Sequence, residues 1–470
     1  MANSRKLHSR NNGNDVTAAF ERALGNILAR VCASAGHDRP SIAIAYSGGL
    51  DSSVLLHLVS RYASVHDVAL HVFHIHHGLS PNADQWVAHC RLEAERCGIP
   101  FSTCHVEVAD IDRRGMEEAA RIARYTGLGD LCRRHGVALL LTAQHQDDQA
   151  ETVLLQLMRG AGLPGLSGMA AFQACHDLLG AGIALGRPLL GISRAALEQQ
   201  AQQLGLTHVA DESNADVRYR RNAVRQVITP AIEQHFPGFA ALVARSASHV
   251  QSAQSLLHEL AMIDLELCQA DPEGATLSLP RVGGLSTQRA DNLLRHWLYR
   301  SGVQLPSTSR LDEIRLQMLS AAGDMHPFFD FGPVKLHRIA DRLELHPNLG
   351  PLPGDPLALQ WQGEQSIEVP QWFGRLVFEK TGGPGLDPGK LRNGPLTLRR
   401  RSGQERLKVA ANRPSKSLKS LFQESSIAPW QRKWLPLMYL DADLVFVAGL
   451  GMDARHLTEA DGMTLRWERG

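Results

Sequence analysis

Ser47-Gly48-Gly49-Leu50-Asp51-Ser52-Ser53 follows the apolar run Ile42-Ala43-Ile44-Ala45-Tyr46 and precedes Val54-Leu55-Leu56-His57-Leu58-Val59. The first run reads as a buried strand and the second as a helix, so the two glycines fall at a strand-to-helix turn. Such a turn suits a phosphate chain. Gly48 and Gly49 permit backbone geometry and close approach that a side chain forbids, while free N–H groups at the helix start and the hydroxyls of Ser47, Ser52 and Ser53 can donate to anionic oxygens. The Gly-Lys-Ser/Thr ending of a Walker A loop is absent, which argues against transfer of a γ-phosphate. A bare Ser-Gly-Gly could equally be a capped turn. Asp51-Ser52 and the flanking strand and helix favour the nucleotide.

Outward from this loop, strand-like runs at Ser41–Tyr46, Ala69–Ile75, Phe101–Val108 and Val137–Thr142 alternate with helical patterns at Ala83–Cys97, Met116–His135 and Asp147–Met158. That alternation predicts an α/β domain with a parallel sheet, whose ligands sit beyond the carboxyl ends of the strands. The Ser47 loop, His76–Ser80 and Gln144–Asp148 would share that edge.

The chain has 470 residues, and at roughly 100–200 residues per domain this length predicts about three domains. We expect a polar N-terminal tail at 1–17, a catalytic domain at 18–230, a helix-rich domain at 231–347, a Pro/Gly-rich linker at 348–356 and a small α+β domain at 357–470. No apolar run approaches the roughly 20 residues needed to span a bilayer, and the first residues lack the apolar core of a signal peptide, so a cytoplasmic protein without membrane contact is expected. Seven cysteines without a C-x-x-C fit reduced, structural thiols. Net charge is +1, so the whole chain advertises no polyanionic partner. A local block does: Arg399, Arg400, Arg401, Arg406, Lys408, Arg413, Lys416, Lys419, Arg432 and Lys433 face only Glu405 and Glu424 between Leu396 and Pro436. Phe422, Trp430 and Trp434 interleave with it, a mixture suited to RNA backbone contact and base stacking.

The second motif is His145-Gln146-Asp147-Asp148-Gln149-Ala150-Glu151-Thr152. Asp148 and Glu151 share a face of a helix's first turn, where paired carboxylates can hold Mg²⁺ or clamp an ammonium, although the spacing also suits a capping box. Four arginines lie within eight residues at Arg218–Arg225, and guanidiniums suit phosphate and carboxylate, although a charge run is more often a solvated face. Arg124-Tyr125 poses the same choice. His71, His74, His76 and His77 cluster on the second strand, where base-pocket lining or packing outweighs metal ligation.

Taken together, Ser47–Ser53, His77–Ser80, Glu118–Arg121 with Arg124-Tyr125, the His145–Gly168 segment, Arg187–Leu190 with Ser193-Arg194, Asp211–Arg225, Leu398–Arg401, Lys416–Phe422 and Pro429-Trp430 resemble the tRNA(Ile)-lysidine synthetase family of PP-loop ATP pyrophosphatases. Gln144 departs from the pattern, since many members carry histidine there. The resemblance implies an adenine nucleotide alpha hydrolase-like catalytic domain and two tRNA-binding domains. It implies a reaction in which ATP adenylates O2 of the wobble cytidine in the CAU anticodon of tRNA(Ile), after which free L-lysine displaces AMP to form lysidine. It assigns ATP binding to Ser47, Gly48, Gly49, Leu50, Asp51, Ser52 and His77, and catalysis to Asp51, Asp148, Glu151 and Arg124. Asp51 and Asp148 are the candidate Mg²⁺ ligands, and Arg221, Arg225, Arg399, Arg400, Arg401, Lys416, Lys419 and Trp430 the tRNA contacts. A homodimer is admitted. Two rivals stand beside it: a PP-loop tRNA 2-thiolase, disfavoured by the missing paired cysteines, and a non-catalytic RNA-binding protein on a relic nucleotide fold.

Overall fold

A computed structural model describes residues 12–35, 40–66, 68–210, 212, 216–271, 274–304, 306–320, 327–348, 350–352, 354, 356–425, 427, 431–459 and 461–469. Trp430, Pro429, most of the 1–17 tail and parts of the 348–356 segment and of Asp211–Asn214 lie outside the described residues. The chain divides into two compact units, Met1–Leu257 and His258–Gly470.

The first unit runs α1 (Asn12–Ala35), β1 (Ile42–Ala45), α2 (Leu50–His66), β2 (Leu70–His76), α3 (Ala83–Arg96), β3 (Phe101–His105), α4 (Ile111–Arg114), α5 (Met116–His135), β4 (Leu139–Leu141), α6 (Gln146–Met158), α7 (Leu163–Leu166), β5 (Phe172–Gln173), β6 (Ala184–Gly186) and α8 (Arg194–Leu204). The strands form one sheet in the order β3-β2-β1-β4-β6-β5. All neighbours are parallel except β5 on β6.

Side-chain alternation explains why both faces are covered. Ile42, Ile44, Val72, Leu139 and Leu141 enter one core with residues of α1, α2 and α8, such as Phe20, Leu55 and Leu197. Their neighbours Ala43, Phe73, Ile75, Leu140 and Leu185 enter a second core with Tyr125, Leu128 and Leu131 of α5. The four expected parallel strands, the two helices between them at Ala83–Cys97 and Met116–His135, and the helix after the fourth strand are present, each within a few residues of its expected ends. The strands β5 and β6 were not expected. At two and three residues they are too short to show a period, and tertiary pairing with β4 defines them.

After α8 come α9 (Arg220–Ala223), a π-helical turn at Val224–Ile228, α10 (Thr229–His235) and α11 (Phe239–Cys268). The second unit continues with β7 (Thr276–Ser278), α12 (Leu279–Gly283), α13 (Thr287–Arg300), α14 (Thr308–Ser320), β8 (Phe328–Asp330), β9 (Val334–Ile339) and β10 (Arg342–Pro347). Its helices share a core with a four-stranded antiparallel sheet, β7-β10-β9-β8, through Trp297, Leu294, Ile314, Leu336 and Leu343. β9 and β10 form a hairpin that turns at Ala340, which has a φ of +52°.

The C-terminal part contains β11 (Leu357–Leu359), β12 (Ser366–Val369), β13 (Gly374–Lys380), β14 (Gly385–Leu386), α15 (Pro388–Asn393), β15 (Leu396–Arg399), β16 (Arg406–Leu407), β17 (Lys416–Ser417) and α16 (Leu418–Glu424). It ends with β18 (Leu437–Leu440), β19 (Asp443–Val447), β20 (Gly451–Met452), β21 (Leu457–Thr458) and β22 (Met463–Arg469). Two five-stranded antiparallel sheets, β11-β15-β18-β19-β20 and β12-β13-β22-β14-β21, close over Trp361, Trp372, Phe378, Met438 and Phe446.

One contact fixes where α5 stands, and with it Arg121, Arg124 and Tyr125. A Cβ on Gly129 would lie 2.4 Å from the Leu179 carbonyl oxygen, so helix and loop touch backbone to backbone. In an exposed helix Gly→Ala stabilises by up to about 1 kcal/mol. Gly129→Ala should instead destabilise the first unit by about 1–3 kcal/mol, as overpacking does. A thermal melt should show the transition lowered by several degrees, and an unchanged or raised transition would refute the close approach.

Candidate functional site

β1 delivers the chain into the glycine turn. Gly48 has a φ of +83°, and a Cβ there would lie 3.0 Å from both Cys90 Sγ and Val209 Cγ2. Its carbonyl accepts from the Val209 amide at 2.9 Å, which ties the turn to the segment after α8. Gly49 is different: a Cβ there would meet only Ser47 Oγ, at 3.5 Å. The Ser47 and Ser52 hydroxyls lie 3.1 Å apart, and Ser52 Oγ donates to the Gly49 carbonyl at 2.9 Å. Below the turn, Tyr46 Oη and Ser53 Oγ are 3.1 Å apart, and His74 Nδ1 donates to the Tyr46 carbonyl at 2.8 Å.

Three helices begin at this edge: α2 at Leu50, α6 at Gln146 and α8 at Arg194. Their amino ends carry partial positive charge, and acidic side chains occupy the first turns of two of them, Asp51 in α2 and Asp147 and Asp148 in α6. The ends are stitched together. The Arg194 amide donates to Asp147 Oδ2 at 2.8 Å, and the Gln146 amide to the Ile192 carbonyl at 2.9 Å.

His145 is the hub. Only 1% exposed, it caps α6: its Nδ1 accepts from the Asp148 amide at 3.4 Å while Asp148 Oδ2 accepts from the His145 amide at 3.1 Å. The capping box is therefore His145 with Asp148, one turn earlier than the Asp148–Glu151 spacing suggested, and it leaves Asp148 Oδ1 available for other partners. With Nδ1 accepting, the Nε2 edge faces Asp148 Oδ2 at 3.3 Å and Asp51 Oδ2 at 3.6 Å. Burial alone would lower the imidazole pKa, but Asp51, Asp148 and Asp147 outweigh it and raise it. For Asp51 burial acts to raise the pKa, and His145, Arg194 and Arg225 outweigh it, so the carboxyl titrates below its ordinary range. Asp51 Oδ1 is buried and meets no donor.

The carboxylates of α6 meet the arginine run of α9 and the π-helical turn. Arg221 donates from Nε to Glu151 Oε2 at 3.0 Å and from Nη2 to Asp148 Oδ1 at 3.1 Å. Arg225 donates from Nε to Glu151 Oε1 at 2.6 Å and from Nη2 to Asp148 Oδ1 at 2.8 Å. Residues four apart share a helix face, so both guanidiniums reach the same pair of carboxylates. Arg218 instead pairs with Asp216 on the surface. The charge run is thus half solvated face and half site.

Arg124 lies on α5 with its guanidinium 5.7 Å from the Tyr125 ring, close enough to Arg221 to be repelled by it. Leu50 and Ser52 lie in the first turn of α2, and His77 directly follows β2 at the same sheet edge. The other histidines of β2 pack or pair: His71 against the rings of Phe73 and His135, and His76 with Asp84 and the His105 ring. Two residues to which sequence motifs assign no role, His145 and Arg194, prove central. Both lie in quoted motifs, but a capping histidine cannot be told from a surface one until its helix and neighbours are known.

In the C-terminal part, Arg400 and Lys419 are exposed. Arg399 stacks on Tyr439 with 4.4 Å to the ring centroid, and Lys416 pairs with Glu424 at 2.8 Å. Arg401 lies 5.7 Å from the Phe422 ring centroid. The expectation that Phe422 and Trp434 stack on bases is corrected. Phe422 projects from α16 with Leu418 and Leu421 into a core with Leu407, Leu437 and Val447, and Trp434 is buried edge-on to Phe373.

Comparison with known proteins agrees with this architecture. Residues 16–232 match the PP-loop domain, residues 277–344 the TilS substrate binding domain and residues 396–467 the TilS substrate C-terminal domain. The tRNA(Ile)-lysidine synthase of Ralstonia nicotianae is 40% identical over 438 residues, covering 91% of this chain and 92% of its own. That of Burkholderia pseudomallei is 40% identical over 458 residues, covering 90% and 91%, and that of Coxiella burnetii 38% over 406 residues, covering 86% and 88%.

The two glycines of the turn should respond differently to a methyl group. Gly48→Ala meets a left-handed backbone, which costs about 1–2 kcal/mol, and crowds Cys90 and Val209, so thermal melting should show reduced stability. Gly49→Ala should melt like the wild type but bind ATP at least tenfold more weakly in calorimetry. Equal melting of both variants would contradict the turn geometry.

Proposed function

The chain belongs to the tRNA(Ile)-lysidine synthase family, and on that premise we propose how its residues divide the work of joining L-lysine to the wobble cytidine of the CAU anticodon. It is an ATP-using tRNA-modifying ligase, and the product is lysidine. In the first step O2 of the base attacks the α-phosphorus of ATP and pyrophosphate leaves. In the second the lysine ε-amine attacks C2, the C2–O2 bond breaks and AMP departs, because AMP is a far better leaving group than the amide-like oxygen alone. The ε-ammonium must shed its proton before it attacks. In keeping with two cytosolic substrates and a tRNA, we place the reaction in the cytoplasm, and among the described residues no helix is long and apolar enough to cross a membrane.

The observation that carries the assignment is the Asp148–Glu151 pair. Two carboxylates 9% and 2% exposed are each held by two guanidinium donors, so the pair is a cation-binding subsite, and it lies beside Asp51 and the glycine turn. A lysine ammonium is the cation this reaction needs there. Arg221 and Arg225 supply the counter-charge to the carboxylates and can turn to phosphate when the ammonium enters. Ser47, Gly48, Gly49, Leu50 and Ser52, with the amino end of α2, cradle the pyrophosphate. His77 lies on the nucleotide side, and Arg124 faces the transferring phosphate. Arg399, Arg400, Arg401, Lys416 and Lys419 serve the tRNA backbone.

Mg²⁺ fits the donor set. Asp51 Oδ1 is a buried carboxylate oxygen without a donor, and Asp148 supplies a second hard oxygen. Asp51 and Asp148 would hold the ion, which would neutralise charge on the departing pyrophosphate.

Labelled lysine should enter a CAU-anticodon tRNA(Ile) transcript only when ATP is present, with pyrophosphate and AMP released in equal amounts. No incorporation would sink the lysidine assignment, and incorporation of sulfur would favour the thiolase. Glu151→Gln removes one charge from the ammonium subsite, and a charged hydrogen bond is worth about 1.5–3 kcal/mol. KM for lysine should therefore rise roughly tenfold to a hundredfold while KM for ATP moves little. A rise in KM for ATP with KM for lysine unchanged would transfer Glu151 to the nucleotide.

A further inference from the structure

Arg187 directly follows β6, whose Gly186 pairs with Leu141 of β4, so it stands on the same carboxyl edge of the sheet as the glycine turn and His145. It is only 6% exposed. Its hydrogen bonds go to neutral groups: Nη1 donates to the Ala170 carbonyl at 2.7 Å and to Gln173 Oε1 at 3.1 Å, and the Tyr125 hydroxyl is close enough to favour its charged form. Nε is buried and meets no acceptor. Among the described residues no carboxylate forms an ion pair with Arg187. A buried cation in that condition costs several kcal/mol, and burial accordingly pushes its pKa down.

More positive charge gathers at the same place. The guanidiniums of Arg121 and Arg124 lie 5.9 Å and 5.7 Å from the Tyr125 ring centroid. Arg121 is answered by Glu118, at 2.9 and 2.8 Å, whereas among the described residues Arg124 has no carboxylate ion pair. Tyr125 also stacks on the half-buried His176, with 4.7 Å between ring centroids and planes 14° apart. Three guanidiniums thus surround one tyrosine that carries an aromatic neighbour, with a single carboxylate in direct contact.

We propose that Arg187 and the Tyr125–His176 stack form a subsite for a phosphodiester of the anticodon loop, next to Arg124 and the Asp148–Glu151 subsite. The oxyanion supplies the counter-charge that Arg187 lacks, and its binding sets the nucleotide's backbone against the reaction edge. This rests on the tRNA reading for the identity of the anion's carrier. The chemistry it names is a phosphate oxyanion, for which ATP is the other source.

The test measures binding of a CAU-anticodon tRNA(Ile) transcript and of ATP to the full chain carrying Arg187→Lys or Arg187→Gln, across a salt series and with thermal melts alongside. Each single-strand phosphate that a protein cation neutralises adds about 0.7 to the slope of log affinity against log salt. Arg187→Lys keeps the charge and should keep that slope. Arg187→Gln keeps only hydrogen bonding, and should show a slope shallower by about 0.7 and a tRNA affinity roughly tenfold weaker at low salt, with ATP affinity unmoved. Tyr125→Phe removes the hydroxyl beside Arg187 and His176→Ala removes the stacking partner, and both should weaken tRNA binding without changing the slope. If tRNA affinity follows the melting temperature of the Arg187 variants and not their charge, Arg187 is a staple for the Ala170–Gln173 segment and the subsite is overturned. A fall in ATP affinity with tRNA binding intact assigns the anion to ATP, and overturns the RNA assignment. Failure of the wild-type protein to bind the transcript would strike down the tRNA reading itself, which the variants alone could not do.

Discussion

Two guanidiniums against two carboxylates join parts of the chain about seventy residues apart, α6 at its first turn and the helix that follows α8. Without that lattice Asp148 and Glu151 would be two like charges buried on one helix face, an arrangement that resists burial. With it each carboxylate is matched by two guanidinium donors. The charge balance has a further consequence. A cation that enters between the carboxylates must displace or share Arg221 and Arg225, so under the proposed assignment its binding is coupled to the position of α9.

The rest of the site is arranged around the same balance of charge. Three helix amino ends converge where no single one would suffice to hold a triphosphate, and their first-turn acids cap neighbours as well as their own helices. Asp147 receives the first amide of α8, and Asp148 receives the amide of His145. Acids that serve as caps are already oriented before any ligand arrives. This preorganisation is what an adenylating site requires, since the barrier falls only when reactants and charges are held in line.

Much of the first unit was legible because its strands are apolar on both faces and its helices are long enough to show a period. The glycine turn was legible too, because Gly48 sits where only glycine is comfortable. His145 and Arg194 were not, since their importance lies in distances across the sheet edge. The strands β5 and β6 escaped because two or three residues carry no pattern and depend on pairing with β4. Phe422 and Trp434 misled for the opposite reason. An aromatic among lysines and arginines looks like a base platform in one dimension, yet a small domain with few apolar residues must bury its largest ones, and the short helix α16 turns Phe422 inward while Lys419 points to solvent.

The π-helical turn at Val224–Ile228 amounts to one surplus residue lodged in an otherwise α-helical run. Excising it would restore regular winding and rotate α10 by about 100° around the axis relative to α9. The geometry of this stretch therefore depends on its length as well as on its side chains. Arg225 within it is bound to Asp148 and Glu151, and an insertion or deletion would shift that guanidinium and the chain leading into α11, whose Gln251 now donates to the Ser167 and Met169 carbonyls at 2.7 and 3.1 Å.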